Sequence, residues 1–166
     1  MGLGLWKVPE NVCADVVYNA IKAGYRMLDG ACDYGNEEQV GQGIKKAIDE
    51  GICTRKDLFI TSKLWNTFHR PEHVKAACQK SLSDMGLDYL DLYLIHFPIA
   101  LQYVPIDSIY PPEWVNFDEN VNGGVPKMVL DNGVTYQQTY EAMEKLQQEG
   151  LVRNIGCCNI GTAMLR

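Results

Sequence analysis

The sequence predicts an α/β fold, best described as an incomplete (β/α)₈ TIM barrel with about five of its eight strand–helix units. Three observations predict it. Short runs of branched and aromatic residues alternate with amphipathic stretches, most connections between them are short, and ionisable residues recur at the C-terminal ends of the apolar runs. Strand–helix alternation with short links implies parallel strands joined by right-handed crossovers. At 166 residues the chain suits a single domain, 1–166.

The strand-like runs are Leu3–Trp6, Tyr25–Leu28, Leu58–Leu64, Tyr89–Phe97 and Val152–Cys157. Most are apolar throughout, as strands covered on both faces are; Tyr89–Phe97 departs from this with Asp91, and Asp88 just precedes it. Between them, Val12, Val16, Val17, Ala20 and Ile21 recur at helical spacing, with Gly24 as the stop. Val40, Ile44, Ala47 and Ile48 repeat the pattern, with Glu37 and Glu38 early and Lys45 and Lys46 late, which suits the helix dipole. Pro71 opens a third helix over Val74, Ala77, Cys78, Leu82 and Met85, closed by Gly86. Thr135 and Gln138 have capping-box spacing ahead of Tyr140, Met143 and Leu146, and Gly150 ends the fourth.

One long irregular stretch, 98–134, follows the fourth strand. It holds five of the seven prolines and Asn122-Gly123-Gly124, so it is not helical. A loop of that length on an α/β scaffold is usually a functional cover.

Pattern alone leaves an open doubly wound sheet or part of a barrel. A dinucleotide-binding sheet would show G-x-G-x-x-G after its first strand; Gly2-Leu3-Gly4 lies inside the strand and lacks the third glycine. Polar residues at successive strand ends favour the barrel: Asp29 after Leu28, Lys63 after Ser62, His96 after Ile95, Asn159 after the fifth strand. That rim is where barrels do chemistry.

Composition excludes other classes. A net charge of -6 without a basic run gives no reason to expect nucleic acid or an anionic membrane as partner. The longest apolar stretch is broken by Asp91 and His96, which argues against a membrane span, and Met1–Lys7 lacks the form of a signal peptide. The six cysteines, Cys13, Cys32, Cys53, Cys78, Cys157 and Cys158, form no CxxC pair and no zinc-like set, so no metal is expected. Free thiols in a reducing, cytoplasmic setting are the expectation.

Singly, the rim residues have plain explanations. Asp29 suits a turn or cap, Tyr34 a loop aromatic, and His96 a hydrogen-bonded core histidine. Lys63 near the end of an apolar strand is stranger, because lysine is seldom buried without a partner. Together they make a working acid. A nearby ammonium lowers a tyrosine's pKa, an aspartate holds the lysine charged, and a neutral histidine orients a carbonyl oxygen. Hydride addition to a carbonyl needs this set, because the developing alkoxide must be stabilised and protonated.

Leu28–Glu37 (LDGACDYGNE), Thr61–Trp65 (TSKLW) and Leu94–Pro98 (LIHFP) resemble three successive catalytic motifs of the aldo-keto reductases, in that family's order and spacing. Gly2–Lys7 resembles its first strand, and Val104–Ile106 with Tyr110–Trp114 resembles its xylose (aldose) reductase branch. The resemblance covers the whole chain. It implies reduction of aldehydes or aldoses, small-molecule carbonyl substrates, by hydride from NADPH, with NADH as the second option. It implies Tyr34 as proton donor, Lys63 as its activator, Asp29 as support for Lys63 and His96 as the carbonyl's orienter. Asp29, Lys63, Cys158 and Asn159 would contact the cofactor. Trp6, Asp33, Trp65, His96, Phe97 and Trp114 would line the substrate pocket, packing being the alternative for each aromatic. Cys158 stands where the family usually has serine and Ile160 where it has phenylalanine; a thiol is the weaker hydrogen-bond partner. The family's later strands, which stack the nicotinamide and grip the adenosine phosphate, are not in this sequence, so the open barrel edge could support self-association. The rival reading is an inactive barrel fragment serving as an interaction or regulatory module.

Overall fold

The computed structural model describes residues 1–115 and 125–164. Five strands, β1 (Gly2–Gly4), β2 (Met27–Asp29), β3 (Phe59–Leu64), β4 (Leu92–Ile95) and β5 (Ile155–Cys157), alternate with α1 (Glu10–Lys22), α2 (Glu37–Asp49), α3 (Pro71–Met85) and α4 (Tyr136–Gln148). All neighbouring strands pair in parallel, in the spatial order β1-β2-β3-β4-β5. A doubly wound sheet reverses its strand order at a switch point. This one never reverses, so each crossover steps the same way around a barrel wall, and the expected partial (β/α)₈ barrel is what the chain forms.

The helices follow from their stripes and stops. Cys13, Val17, Ala20 and Ile21 bury one face of α1, and Gly24 takes φ 101° beyond it. Pro71 occupies the first turn of α3, where its missing N–H costs nothing, and Gly86 ends it at φ 63°. Thr135 and Gln138 form the reciprocal capping box that opens α4. Two glycines let α2 lie close between its neighbours. A Cβ on Gly41 would stand 2.3 Å from the carbonyl oxygen of Met85, and one on Gly43 would stand 2.5 Å from that of Ala14. Neither backbone has room to give.

The strands are shorter than the apolar runs that predict them. The first run turns at Trp6–Lys7, where Lys7 has φ 62°, so Trp6 lies beyond β1. In the fourth, the Asp91 side chain accepts from the Ile60 N–H at 2.9 Å, and the regular ladder begins only at Leu92. Asp91 is buried and also meets Arg55 (2.8 Å) and Arg153 (3.4 Å), whose guanidinium groups each lie 4.0 Å from the Tyr89 ring. This cluster closes the N-terminal end of the wall, opposite the rim of interest.

The stretch after β4 is irregular wherever it is described. Its base is closed by an antiparallel bridge between Leu101 and Leu130 and pinned to the start of α3 by Arg70–Asp131 at 2.6 Å. Asn122-Gly123-Gly124 lies outside the described residues.

Candidate active site

The C-terminal rim is built from strand ends. Asp29 is the last residue of β2, Lys63 the fifth of six in β3, and His96 directly follows β4. Tyr34 comes from the short 3₁₀ turn Cys32–Tyr34, which Gly35 ends at φ 73°. Four separate segments thus deliver four side chains to one place.

Lys63 sits at its centre and is buried. Its ammonium donates to Asp29 Oδ1 at 2.5 Å, to the Gly30 carbonyl at 2.8 Å and to the Tyr34 hydroxyl oxygen at 3.1 Å. An ammonium has three N–H bonds and all three are used. Because the Tyr34 oxygen accepts from Lys63, the phenolic proton is left for another acceptor. Burial works against the charge on Lys63, but the hydrogen bonds it donates to Asp29 and Tyr34 outweigh it and raise the pKa above its ordinary value. Tyr34 is also raised: burial disfavours the phenolate more than the hydrogen bond and charge of Lys63 favour it. The expectation that Lys63 brings Tyr34 below its ordinary range therefore does not hold in this state. The lysine opposes the effect of burial without reversing it, so the phenol keeps its proton at neutral pH.

His96 is buried beside them, its ring centroid 5.9 Å from that of Tyr34. Its Nδ1 lies 3.1 Å from Asp33 Oδ1, yet off line, so both buried atoms lack a hydrogen-bond partner among the described residues. Around His96 stands an aromatic wall. Phe97 stacks on it at 4.7 Å, Trp65 meets it edge-on at 5.4 Å, and Trp114 lies 4.9 Å from both Trp65 and Phe97. Trp65 Nε1 donates to the Glu113 carbonyl at 3.1 Å, tying Trp114's segment to β3's end. Trp6 stands apart from this wall: it is 65% exposed, with the Lys7 ammonium 4.5 Å from its ring.

Asn159 closes the rim from β5's side. It adopts φ 54°, and its amide nitrogen donates to the His96 carbonyl at 2.8 Å and to Cys158 Sγ at 3.3 Å. Cys158 and Cys157 are half-buried free thiols. Four other thiols are buried and free; burial pushes Cys13 up to about 11 and Cys78 up to about 12, which leaves them protonated and unreactive.

The whole of the chain, residues 1–166, matches the Aldo/keto reductase family. The chain belongs to the aldo/keto reductase family. It is similar to the NADPH-dependent aldose reductase of Saccharomyces cerevisiae, 52% identical over 166 residues, covering 100% of this chain and 50% of that protein. It is also similar to the NAD(P)H-dependent D-xylose reductase of Pyricularia oryzae, 53% identical over 165 residues, covering 99% and 49%. Among solved structures, the aldose reductase from Schistosoma japonicum superposes with a TM-score of 0.85 at 41% identity, covering 99% of this chain and 50% of the other. The chain therefore spans about half the length of the curated relatives it matches.

One buried group of this chain is more than its sequence position suggests. Glu37 reads as a first-turn acid facing the helix dipole, yet it is 4% exposed. It accepts from Ser62 (2.6 Å), Ser81 (2.9 Å) and Tyr110 (3.2 Å). The signal was present in the helical spacing, since Glu37 falls on the same face as Val40, Gly41 and Ile44.

Proposed function

We propose that this chain carries the acid–base half of a carbonyl-reducing site, acting on aldehydes or aldoses, with NADPH as reductant and NADH as the second option. The observation that carries the reading is the Lys63 ammonium, whose three donors hold Asp29, Gly30 and Tyr34 in fixed relation and leave the phenolic proton of Tyr34 unspent. The names of the relatives, an NADPH-dependent aldose reductase and an NAD(P)H-dependent D-xylose reductase, support both the substrate class and the cofactor.

In this mechanism the carbonyl oxygen sits between Tyr34 and His96. A reduced nicotinamide, when bound, supplies the hydride. As charge grows on the oxygen, Tyr34 gives up its proton, and Lys63 stabilises the phenolate left behind. Asp29 keeps the ammonium in place. His96 orients the carbonyl, and Asp33, whose buried Oδ1 has no hydrogen-bond partner among the described residues, offers its carboxylate to a substrate hydroxyl. Trp65, Phe97 and Trp114 exclude water from the other side, which strengthens every polar contact within. Trp6, exposed and apart, belongs at most to the outer edge of the pocket.

The residues present suit the nicotinamide end of the cofactor. The amide oxygen of Asn159 takes no hydrogen bond among the described residues and is free to accept from a carboxamide, with the Cys158 thiol as a weak neighbour. Six free thiols accord with a reducing compartment such as the cytoplasm.

The test is aldehyde-dependent NADPH oxidation, followed at the NADPH absorbance band, for the chain alone and for the chain joined to the C-terminal half of the yeast relative. The joined protein is expected to turn over. A joined protein that folds and binds NADPH, yet leaves it unoxidised with every aldehyde and aldose tried, would favour an interaction or regulatory role instead.

A further inference from the structure

The aromatic wall of the pocket is only as well placed as the segment that brings Trp114 to it, and that segment comes from the irregular stretch after β4. Three contacts fix it. Trp65 Nε1 holds the Glu113 carbonyl from inside the pocket. Pro111 lies against Gly35, where an added Cβ would stand 3.2 Å from Pro111 Cγ, so the segment rests on the turn that carries Tyr34. The third contact lies on the helix side of the wall: the Tyr110 hydroxyl donates to Glu37 Oε2 at 3.2 Å, beside Lys80 of α3.

Glu37 is not otherwise explained by the chemistry. It lies behind β3, on the side of the wall away from Lys63, because Ser62 and Lys63 are consecutive in the strand and point to opposite faces. Burying a carboxylate is costly unless its oxygens are hydrogen-bonded. Here one oxygen takes Ser62 of β3, and the other takes both Ser81 of α3 and Tyr110 of the segment. The Tyr110 ring is further held under the Lys80 ammonium, 4.3 Å from its centroid, and Lys80 is itself paired with Asp84. One buried acid thus joins strand, helix and pocket segment at a single point.

We infer that Glu37 is a positioning residue for the substrate pocket, acting through Tyr110 to set the place of Trp114 and hence the grip on the carbonyl substrate. This rests on the reading of the site as a carbonyl pocket. Glu37 touches no reacting atom, so its loss acts on binding and leaves the proton transfer at Tyr34 intact. Charge-assisted hydrogen bonds from hydroxyls make the attachment directional: a phenylalanine at 110 keeps the ring's packing and loses only the tether.

The experiment compares Tyr110→Phe with the unaltered chain, using Trp114→Phe in each background to isolate the fluorescence of Trp114. Acrylamide quenching of Trp114 is expected to rise at least about twofold in Tyr110→Phe, while far-UV circular dichroism and the urea midpoint change little, since one part-buried hydrogen bond of 3.2 Å is a small part of the fold. Glu37→Gln, which keeps an oxygen acceptor, should quench less than Glu37→Ala. In the joined protein, Tyr110→Phe should raise KM about five- to tenfold with kcat within about twofold. Unchanged Trp114 quenching in Tyr110→Phe, or a fall in kcat at constant KM, overturns the inference. Failure of the carbonyl-pocket reading shows elsewhere, as absent turnover in the unaltered joined protein.

Discussion

Two halves of one rim are built on opposite terms. Around Lys63, every donor is used, the partners come from strand ends and a tight turn, and the geometry is complete without any ligand. Around His96, two buried polar atoms face each other at 3.1 Å without bonding, and the wall beside them depends on an irregular segment. Buried polar groups without partners are rare in folded proteins, and each one calls for a physical reason. The difference teaches that the Lys63 half is pre-organised by the fold, whereas the His96 half, on the proposed reading, keeps hydrogen-bonding capacity in reserve for a polar ligand.

The strongest way to break the comparison is at its complete half. Lys63→Met removes the ammonium and leaves burial unopposed in raising the Tyr34 pKa. Turnover of the joined protein should fall by about 10²- to 10⁴-fold, the range of a lost acid–base contribution. A loss smaller than about fivefold in steady-state kcat would mean that the three-way grip of Lys63 is structural only.

The unfinished half should respond through binding. Trp114 is 38% exposed and touches Trp65 and Phe97 edge-on. Trp114→Ala removes contacts of about 1 to 1.5 kcal/mol, so KM for an aldehyde should rise roughly tenfold with kcat little changed. Equal losses in kcat and kcat/KM would show instead that Trp114 acts in the transition state.

A third effect, on stability and not on turnover, sharpens the contrast by lying outside both halves. His69 is buried, its Nε2 lacks a hydrogen-bond partner among the described residues, and burial lowers its pKa from 6.5 to about 4. A depressed folded-state value means that the neutral ring contributes stability above pH 6.5, and that this is lost as pH falls through 4. The loss amounts to at most about 3 kcal/mol. Glu37 works in the other direction, since its pKa is raised by burial and protonation on acidification favours the folded state. Urea midpoints measured between pH 7 and pH 4 should fall with acid and fall less in His69→Asn. An identical pH profile in both proteins would remove His69 from the account.

Much of this was legible in the sequence because period and punctuation agreed. The runs that predict β3 and β4, the Pro71 start and the Gly86 stop of α3 all reappear, since each rests on local sterics that tertiary contacts only reinforce. The grouping of Asp29, Lys63 and His96 was readable from their places at strand ends, which a parallel barrel must bring to one rim. What escaped was set by long-range packing. The turn at Lys7 removed Trp6 from the first strand, and the burial of Tyr34 outweighed a neighbour whose sign was read correctly. Glu37 read only as an early acid suited to the helix dipole, because its three hydroxyl partners come from β3, α3 and a segment 73 residues away. No local pattern announces such a cluster; only the apolar face on which Glu37 falls hints at it.

The central claim is that Tyr34 gives the proton, and its most direct test is Tyr34→Phe in the joined protein. The substitution removes one oxygen and leaves the ring in place. NADPH affinity, measured by quenching of protein fluorescence, should stay within about threefold, while kcat for aldehyde reduction falls by at least about 10²-fold, because the hydroxyl acts only when the alkoxide forms. Retained turnover in Tyr34→Phe, with cofactor affinity unchanged, would contradict the account and move the acid to another group at the rim.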